Sequence, residues 1–252
     1  MTPLAWIEAG TGDPVLFLHG IGGSSWTWRP QFDALSGTRR CIAWDMPGYG
    51  DSPPLPGPMT FPALAASVAR LLDLLELDRV DLVGLSMGGQ VALHTVLGHS
   101  DRVRSLVLLD TSPAFGLDGT DVEEWRRERL APLDAGLTPA DFAEDLLRGV
   151  GGPTLTAGAL ALAVAAMARV PAAGLRAAVE CLPTHDVRHR LAEIEAPTLV
   201  VVGEFDTETP VSYAEHLAAR IPDARLEIVP GAGHLTNMDR PDVVNRLIGE
   251  FL

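Results

Sequence analysis

The stretch of residues 80–93, VDLVGLSMGGQVAL, sets Ser86 between Gly84 and Gly88 where an apolar run changes character. A serine hydroxyl becomes an effective nucleophile only with a base beside it and an acid to orient that base. Among the seven histidines, His234 in VPGAGHLTN follows the last β-rich run and sits among glycines that permit a mobile loop. It is the candidate base; the competing role is a histidine that caps the next helix. His94 and His99 fall on the segment behind Ser86 and read as packing or surface residues, while His185, His189 and His216 read as solvated, with His185 able to border a pocket. For the acid, LVVVGEFDTETP places Asp206 just past a strand end, with Glu204 and Glu208 as near competitors. Asp110, at the end of SLVLLD, is the runner-up because it occupies another strand end. Ser86, His234 and Asp206 acting together would perform acyl transfer through a covalent intermediate.

That chemistry also needs donors aimed at the oxygen on which negative charge develops. The segment LFLHGIGGSSW turns after a β-rich run and exposes the backbone N–H of Ile21, with Gly22 beside it. Paired with the Met87 N–H at a helix N-terminus, it is the expected oxyanion hole. The competing roles are a plain chain reversal or a phosphate loop, but G-x-G-x-x-G is absent and no lysine follows. His19 reads as a hydrogen bonder that shapes the loop.

Groups so scattered in sequence must be brought together by strand ends and tight turns. Residues 15–18, 41–45, 80–83, 103–109, 198–202 and 226–229 read as strands buried on both faces, because their apolar residues run on without alternating. Residues 4–8 read as an edge strand. With a strand ending at Val83 and a helix beginning near Gly89, residues 84–88 must form a very tight turn in which a side chain at 84 or 88 would collide. Thr209 with Pro210, and Asp239, stand where caps and first turns of helices over 211–221 and 241–251 are expected. Between Thr111 and His185 only helical patterns occur. The expected organisation is therefore an α/β core over 1–112 and 187–252, interrupted by a helical cap over 113–186.

Composition limits the partners. The chain has 252 residues, 47% of them hydrophobic, and a formal charge of −14, which excludes a basic patch that could steer a nucleic acid or an anionic membrane. No basic start or apolar core of a signal peptide follows Met1, and the apolar stretch 155–168 reads as a buried helix too short to span a bilayer. Cys41 and Cys181 are far apart and lack metal spacing, so two free buried thiols and a cytoplasmic location are expected, with no metal and no cofactor.

Five motifs, HGIGG at 19–23, DMPGYGDS at 45–52, GLSMG at 84–88, GEFDTETP at 203–210 and GAGH at 231–234, resemble in content and order those of the α/β-hydrolase family. The resemblance spans nearly the whole chain. It implies an eight-stranded, mostly parallel sheet flanked by helices, with a helical cap after the sixth strand, and a turn-forming role for Asp45. Ser86 in place of an aspartate points away from the dehalogenase and epoxide hydrolase branches, and the Gly22–Gly23 pair points away from haloperoxidases and perhydrolases. Within the family, residues 203–241 and the Trp125 and Arg129 pattern resemble 3-oxoadipate enol-lactonases and neighbouring esterases, although residues 149–170 depart from the lactonase pattern. An enol-lactone acid is an anion, and a chain of this charge repels it unless Arg126, Arg129 or Arg169 faces the pocket. The expected function is cofactor-independent hydrolysis of a small ester or lactone. The alternatives are carbon–carbon cleavage of vinylogous diketones and a ligand sensor on the same frame. The cap holds Phe115, Trp125, Phe142, Leu146, Met167, Val170 and Leu175; most should pack the cap, and some must roof an apolar pocket with Trp125 near its rim and Gly22 at its base.

Overall fold

The computed structural model describes residues 4–252. All seven β-rich runs form strands: β1 (Trp6–Ala9), β2 (Pro14–Leu18), β3 (Arg40–Trp44), β4 (Val80–Leu85), β5 (Val103–Leu109), β6 (Thr198–Gly203) and β7 (Ala224–Val229). They hydrogen-bond in the order β1-β3-β2-β4-β5-β6-β7. Only β1 runs antiparallel to its neighbour. The eighth strand implied by the family resemblance is not found among the described residues, whose sequence contains no eighth β-rich run to build one.

The central strands are buried on both faces because helices cover both. In β2, Leu16 and Leu18 enter one apolar cluster while Val15 and Phe17 enter the other, and Leu82 and Val83 divide the same way in β4. Strand β7 corrects the sequence expectation: as the outer strand it is only partly covered, and its Ile228 is 44% exposed.

Helices α1 (Arg29–Leu35), α2 (Phe61–Leu74) and α3 (Met87–Gly98) alternate with the first strands. Thr60 starts α2 by accepting a hydrogen bond from the Ala63 N–H at 3.3 Å, and Phe61, Leu64, Val68, Leu71 and Leu72 then bury one face of it. The run between β5 and β6 forms α4 (Val122–Asp134), α5 (Pro139–Val150), α6 (Ala157–Met167) and α7 (Ala172–Cys181). The chain leaves for this insert and returns side by side: Ala114 bridges Asp186, Phe115 N–H donates to His185 O at 2.9 Å, and Val187 N–H donates to Pro113 O at 2.9 Å. No single described helix is long and apolar enough to cross a membrane, and the pair Ala157–Met167 and Ala172–Thr184 is bent by 95°.

The C-terminal part adds α8 (Val211–Ala218), α9 (Thr236–Asp239) and α10 (Pro241–Phe251). Two expected caps are not caps. Pro210 and Arg240 begin α8 and α10 with no side-chain cap, because the Thr209 hydroxyl and Asp239 carboxylate are used elsewhere. The sheet order turns back between β2 and β4, and at such a switch point the loops after the two strands diverge and leave a crevice. The loop of Gly20–Gly23 and the turn holding Ser86 are those two loops.

Candidate active site

Ser86 lies between β4 and α3 at φ 53°, ψ −121°, a left-handed conformation costly for any residue but glycine. The neighbours leave the chain no other route. A Cβ at Gly88 would strike the Leu18 carbonyl, and one at Gly84 would strike the Gly88 carbonyl. The turn is tied from both sides: Ser86 N–H donates to Leu109 O at 2.9 Å, and the Thr111 hydroxyl donates to Ser86 O at 2.8 Å. Strain held by these bonds lifts the hydroxyl clear of the sheet edge.

His234 arrives from the loop after β7. Its Nε2 lies 2.9 Å from Ser86 Oγ, and its Nδ1 lies 3.0 and 2.9 Å from the two oxygens of Asp206. The sequence-predicted trio, contributed by the ends of β4, β6 and β7, is thus one connected chain of hydrogen bonds. A carboxylate can only accept, so Nδ1 carries a proton, and in the neutral ring it is the unprotonated Nε2 that faces the serine. Asp206 is fixed in turn: Oδ1 accepts from Glu208 N–H and Thr209 N–H, both at 2.9 Å, and Oδ2 accepts from the Thr209 hydroxyl at 2.8 Å. Burial opposes charge on the imidazole, but the Asp206 charge and hydrogen bond, with smaller pulls from Asp110 and Glu208, outweigh it and hold His234 above the usual histidine range. Burial likewise opposes charge on Asp206, and the His234 interactions reverse it, keeping that carboxyl low.

Asp110, the runner-up acid, does not touch His234. Its carboxylate accepts from Gly203 N–H at 3.0 Å, from Thr236 N–H at 3.1 Å and from the Thr236 hydroxyl at 2.7 Å, so it pins the histidine loop to the end of β6. Burial, with the nearby Asp206 charge, raises its pKa far above the carboxylate range. Glu204 accepts from Gly231 N–H at 3.1 Å and does not reach the imidazole.

The loop after β2 passes so close that a Cβ at Gly20 would lie 3.1 Å from Ser86 Cβ. His19 shapes it: its Nε2 accepts from Met46 N–H at 3.0 Å, which leaves Nδ1–H to donate to Gly20 O at 2.8 Å. That carbonyl belongs to the peptide whose N–H is Ile21's, and in a trans peptide the two point opposite ways. Fixing one fixes the other. Tyr49 holds the next peptide by donating to Ile21 O at 2.9 Å. Met87 N–H opens α3, where helix geometry supplies no internal partner. Asp45 is a loop-holding carboxylate, accepting from Ser25 N–H at 2.7 Å.

A cavity of about 290 Å³ opens over Ser86 and His234. Gly20, Ile21 and Gly22 lie on the core side, and Phe115, Trp125, Phe142, Leu146, Met167 and Leu175 come from the insert and its approach. Val170 is buried but does not line it. Trp125 packs edge-on against Phe115 with ring centroids 4.9 Å apart. Polar residues, among them Asp118, Thr120, Arg129, Glu208 and Tyr213, complete the lining. Arg126 pairs with Glu123 and Glu180, and Arg169 with Asp51. Neither lines the cavity.

The family model for the alpha/beta hydrolase fold matches residues 13–241. The chain belongs to the α/β-hydrolase family. As such it is an enzyme whose relatives include named esterases and lactonases. It is 31% identical over all of its length, and 98% of the relative's, to a protein named putative non-heme bromoperoxidase BpoC from Mycobacterium tuberculosis H37Rv. A thermophilic esterase structure from Thermogutta terrifontis is 31% identical with a TM-score of 0.88, covering 98% of this chain and 92% of that one. The enol-lactonase of Burkholderia xenovorans LB400 is 25% identical with a TM-score of 0.87, covering 98% and 95%. Similarity thus extends to a bromoperoxidase-named protein despite the Gly22–Gly23 pair.

Sequence reasoning missed two contributors to the site and misplaced one histidine outside it. Thr209 reads as a helix cap but binds Asp206; the D-x-x-T spacing, which lets a carboxylate accept from the backbone and hydroxyl three residues on, was the signal. Asp239 reads as a cap but accepts from Gly152 N–H at 2.8 Å and Gly233 N–H at 2.6 Å, tying the insert to the histidine loop. No local signal marks that role. His185, expected to be solvated, is buried against Ser112 O and His94.

Proposed function

We propose that the chain is a cofactor-independent serine hydrolase of small carboxylic esters or lactones, with residues 113–186 acting as a cap over the cavity. The observation that carries this reading is the unbroken line from Ser86 Oγ through His234 to Asp206, with 2.9 Å on each side of the imidazole. Ser86 Oγ attacks the carbonyl carbon while its proton passes to His234 Nε2. Asp206, held by Thr209, stabilises the imidazolium and keeps the ring oriented. The Ile21 and Met87 N–H groups receive the oxyanion, and the strained turn aims Met87 without reorganisation during reaction. Collapse expels the alkoxide, which takes the proton from Nε2. Water then attacks the acyl-enzyme, giving its proton to the imidazole, and the second collapse releases the acid as Ser86 Oγ takes that proton back from Nε2. The mostly apolar cavity walls favour hydrophobic acyl or lactone groups.

The test combines a panel of p-nitrophenyl esters, lactones and dienoates with labelling by a small fluorophosphonate. Turnover of short neutral esters and labelling at Ser86 are expected. Ser86→Ala should lose on the order of a millionfold in kcat, because nucleophile and base act as one unit, with an unchanged unfolding midpoint. Full esterase activity in that variant would sink the assignment. Binding without turnover across the panel would support a ligand sensor, and turnover of dienoates alone a carbon–carbon hydrolase. Trp125→Ala should reorder the substrates by kcat/KM and leave labelling intact.

A further inference from the structure

Arg129 is the one arginine among the described residues that line the cavity, and it is not free. Its Nη2 lies 2.9 and 2.7 Å from the two carboxylate oxygens of Glu208. The pair spans the cavity lining from α4 of the insert to the loop just after Asp206. Both side chains are about two-thirds covered, at 32% and 31% exposure, so salt screens them less than an open surface pair. The guanidinium also sits 5.8 Å from the centre of the Trp125 ring. With Arg129 neutralised, the other charge-bearing groups of the lining are the Asp118 carboxylate and the His234 imidazole, whose charge Asp206 balances from just behind. A substrate carboxylate entering this cavity meets no cation that lacks a carboxylate partner of its own.

We propose that Glu208 is a specificity-determining residue: by occupying Arg129 it restricts the enzyme to substrates uncharged in the region the arginine reaches, and it conceals a ready-made carboxylate site. This rests on the hydrolase reading above and adds the charge class of the substrate to it. A merely structural pair would tie α4 to the core and leave substrate charge indifferent. The position argues for more, since the other arginines of the insert, such as Arg126 and Arg176, pair away from the cavity lining. A planar guanidinium released there would offer a carboxylate two parallel N–H donors.

The test is a double-mutant cycle with Glu208→Gln and Arg129→Gln, read as a ratio of kcat/KM values within each protein. One ratio compares mono-p-nitrophenyl adipate with p-nitrophenyl hexanoate, charged against neutral in the acyl chain; the other compares 3-carboxyphenyl with phenyl hexanoate, charged in the leaving group. Glu208→Gln should raise one of the ratios about tenfold, the worth of one charge-assisted hydrogen bond. In the Arg129→Gln background the same change should raise it no more than about twofold, the residue of simple repulsion. Equal gains in both backgrounds, or no gain on either pair, overturn the proposal. If the parent enzyme turns over no neutral ester, it is the hydrolase reading that fails. Calorimetric affinity for adipic acid monoamide against hexanamide across the same four proteins then decides the charge preference alone.

Discussion

Two carboxylates lie near the candidate base, and their surroundings assign them different work. Asp206 touches Nδ1 directly and is supplied with three donors that favour its charge, whereas Asp110 spends its oxygens on Gly203 and Thr236. Asp206→Asn is therefore expected to cost roughly ten-thousandfold in kcat by favouring the wrong tautomer, and Asp110→Asn far less, since Asp110 does not touch the imidazole, although the amide nitrogen can no longer accept as one of its two oxygens does. A reversed order of damage would move the acid to Asp110. The same charge fixes the pH dependence. An imidazole can act as a base only when neutral, and Asp206 holds the pKa of His234 above the ordinary 6.5. The acid limb of kcat/KM should therefore have its midpoint above pH 6.5, with activity lost as pH falls through it. In Asp206→Asn the largest upward pull is gone, only the smaller ones of Asp110 and Glu208 still oppose burial, and the midpoint should move down. Ser86, Asp206 and His234 were legible in the sequence because each stands at the end of a β-rich run, where residue type and position coincide. Thr209 and Asp239 were not, because at helix starts a capping role and a tertiary role use the same residue types.

At the scale of elements, the segment joining α5 to α6 acts as a brace for the histidine loop. His234 N–H donates to Val150 O at 2.9 Å, the Thr154 hydroxyl donates to Gly231 O at 2.9 Å, and Asp239 accepts from Gly152 and Gly233 together. The two backbones touch: a Cβ at Gly152 would strike Gly233 N. Gly152→Ala should thus push the imidazole off its line to Ser86, lowering kcat by about ten- to a hundredfold, the scale of an ångström of misplacement. KM should change little. Gly158→Ala, on α6 with room for a methyl, should leave both constants as they are. Equal kcat in the two variants would mean the loop holds its geometry without the insert. Strand identities were legible because unbroken apolar runs suffice for buried strands, and the helical run between β5 and β6 was legible for its lack of such runs. How that insert fastens onto the core was not, since backbone-to-backbone contacts leave no trace in residue type beyond a glycine. The count of eight strands came from family resemblance, and the chain's own seven runs were the better guide.

For the molecule as a whole, the junction between core and insert carries a buried histidine, His185, and a partly buried one, His94, that the proposed chemistry does not use. His185 Nε2 lies 2.9 Å from Ser112 O, a group that only accepts, so Nε2 carries the proton and Nδ1 is left to accept. His94 Nε2–H then donates to it at 3.2 Å, while Phe61 stacks on the His94 ring at 4.8 Å. His185 must be neutral for this arrangement, because its Nδ1 accepts, and burial disfavours charge on both rings. Burial, helped by the Arg190 charge, lowers His94 to about 4. Burial also lowers His185 to about 3, with the proton on His94 opposing and Ser112 and Asp186 favouring its charge. In the unfolded chain both titrate near 6.5. As pH falls below that value the unfolded state takes up protons that the folded state refuses. The stability is therefore complete above pH 6.5 and is lost progressively as pH falls, down to about 4 for His94 and about 3 for His185. His94→Gln keeps a donor to His185 and removes one titrating ring. Between pH 7.5 and 5 its unfolding free energy in urea should fall by about 2 kcal/mol less than the parent's, at ~1.4 kcal/mol for each unit below 6.5. Parallel curves for the two proteins would place the acid sensitivity among the buried carboxylates instead. A flatter curve would show that His94, beside the polar seam through Ser112 that also lines the cavity, takes up a proton on unfolding that the folded state refuses.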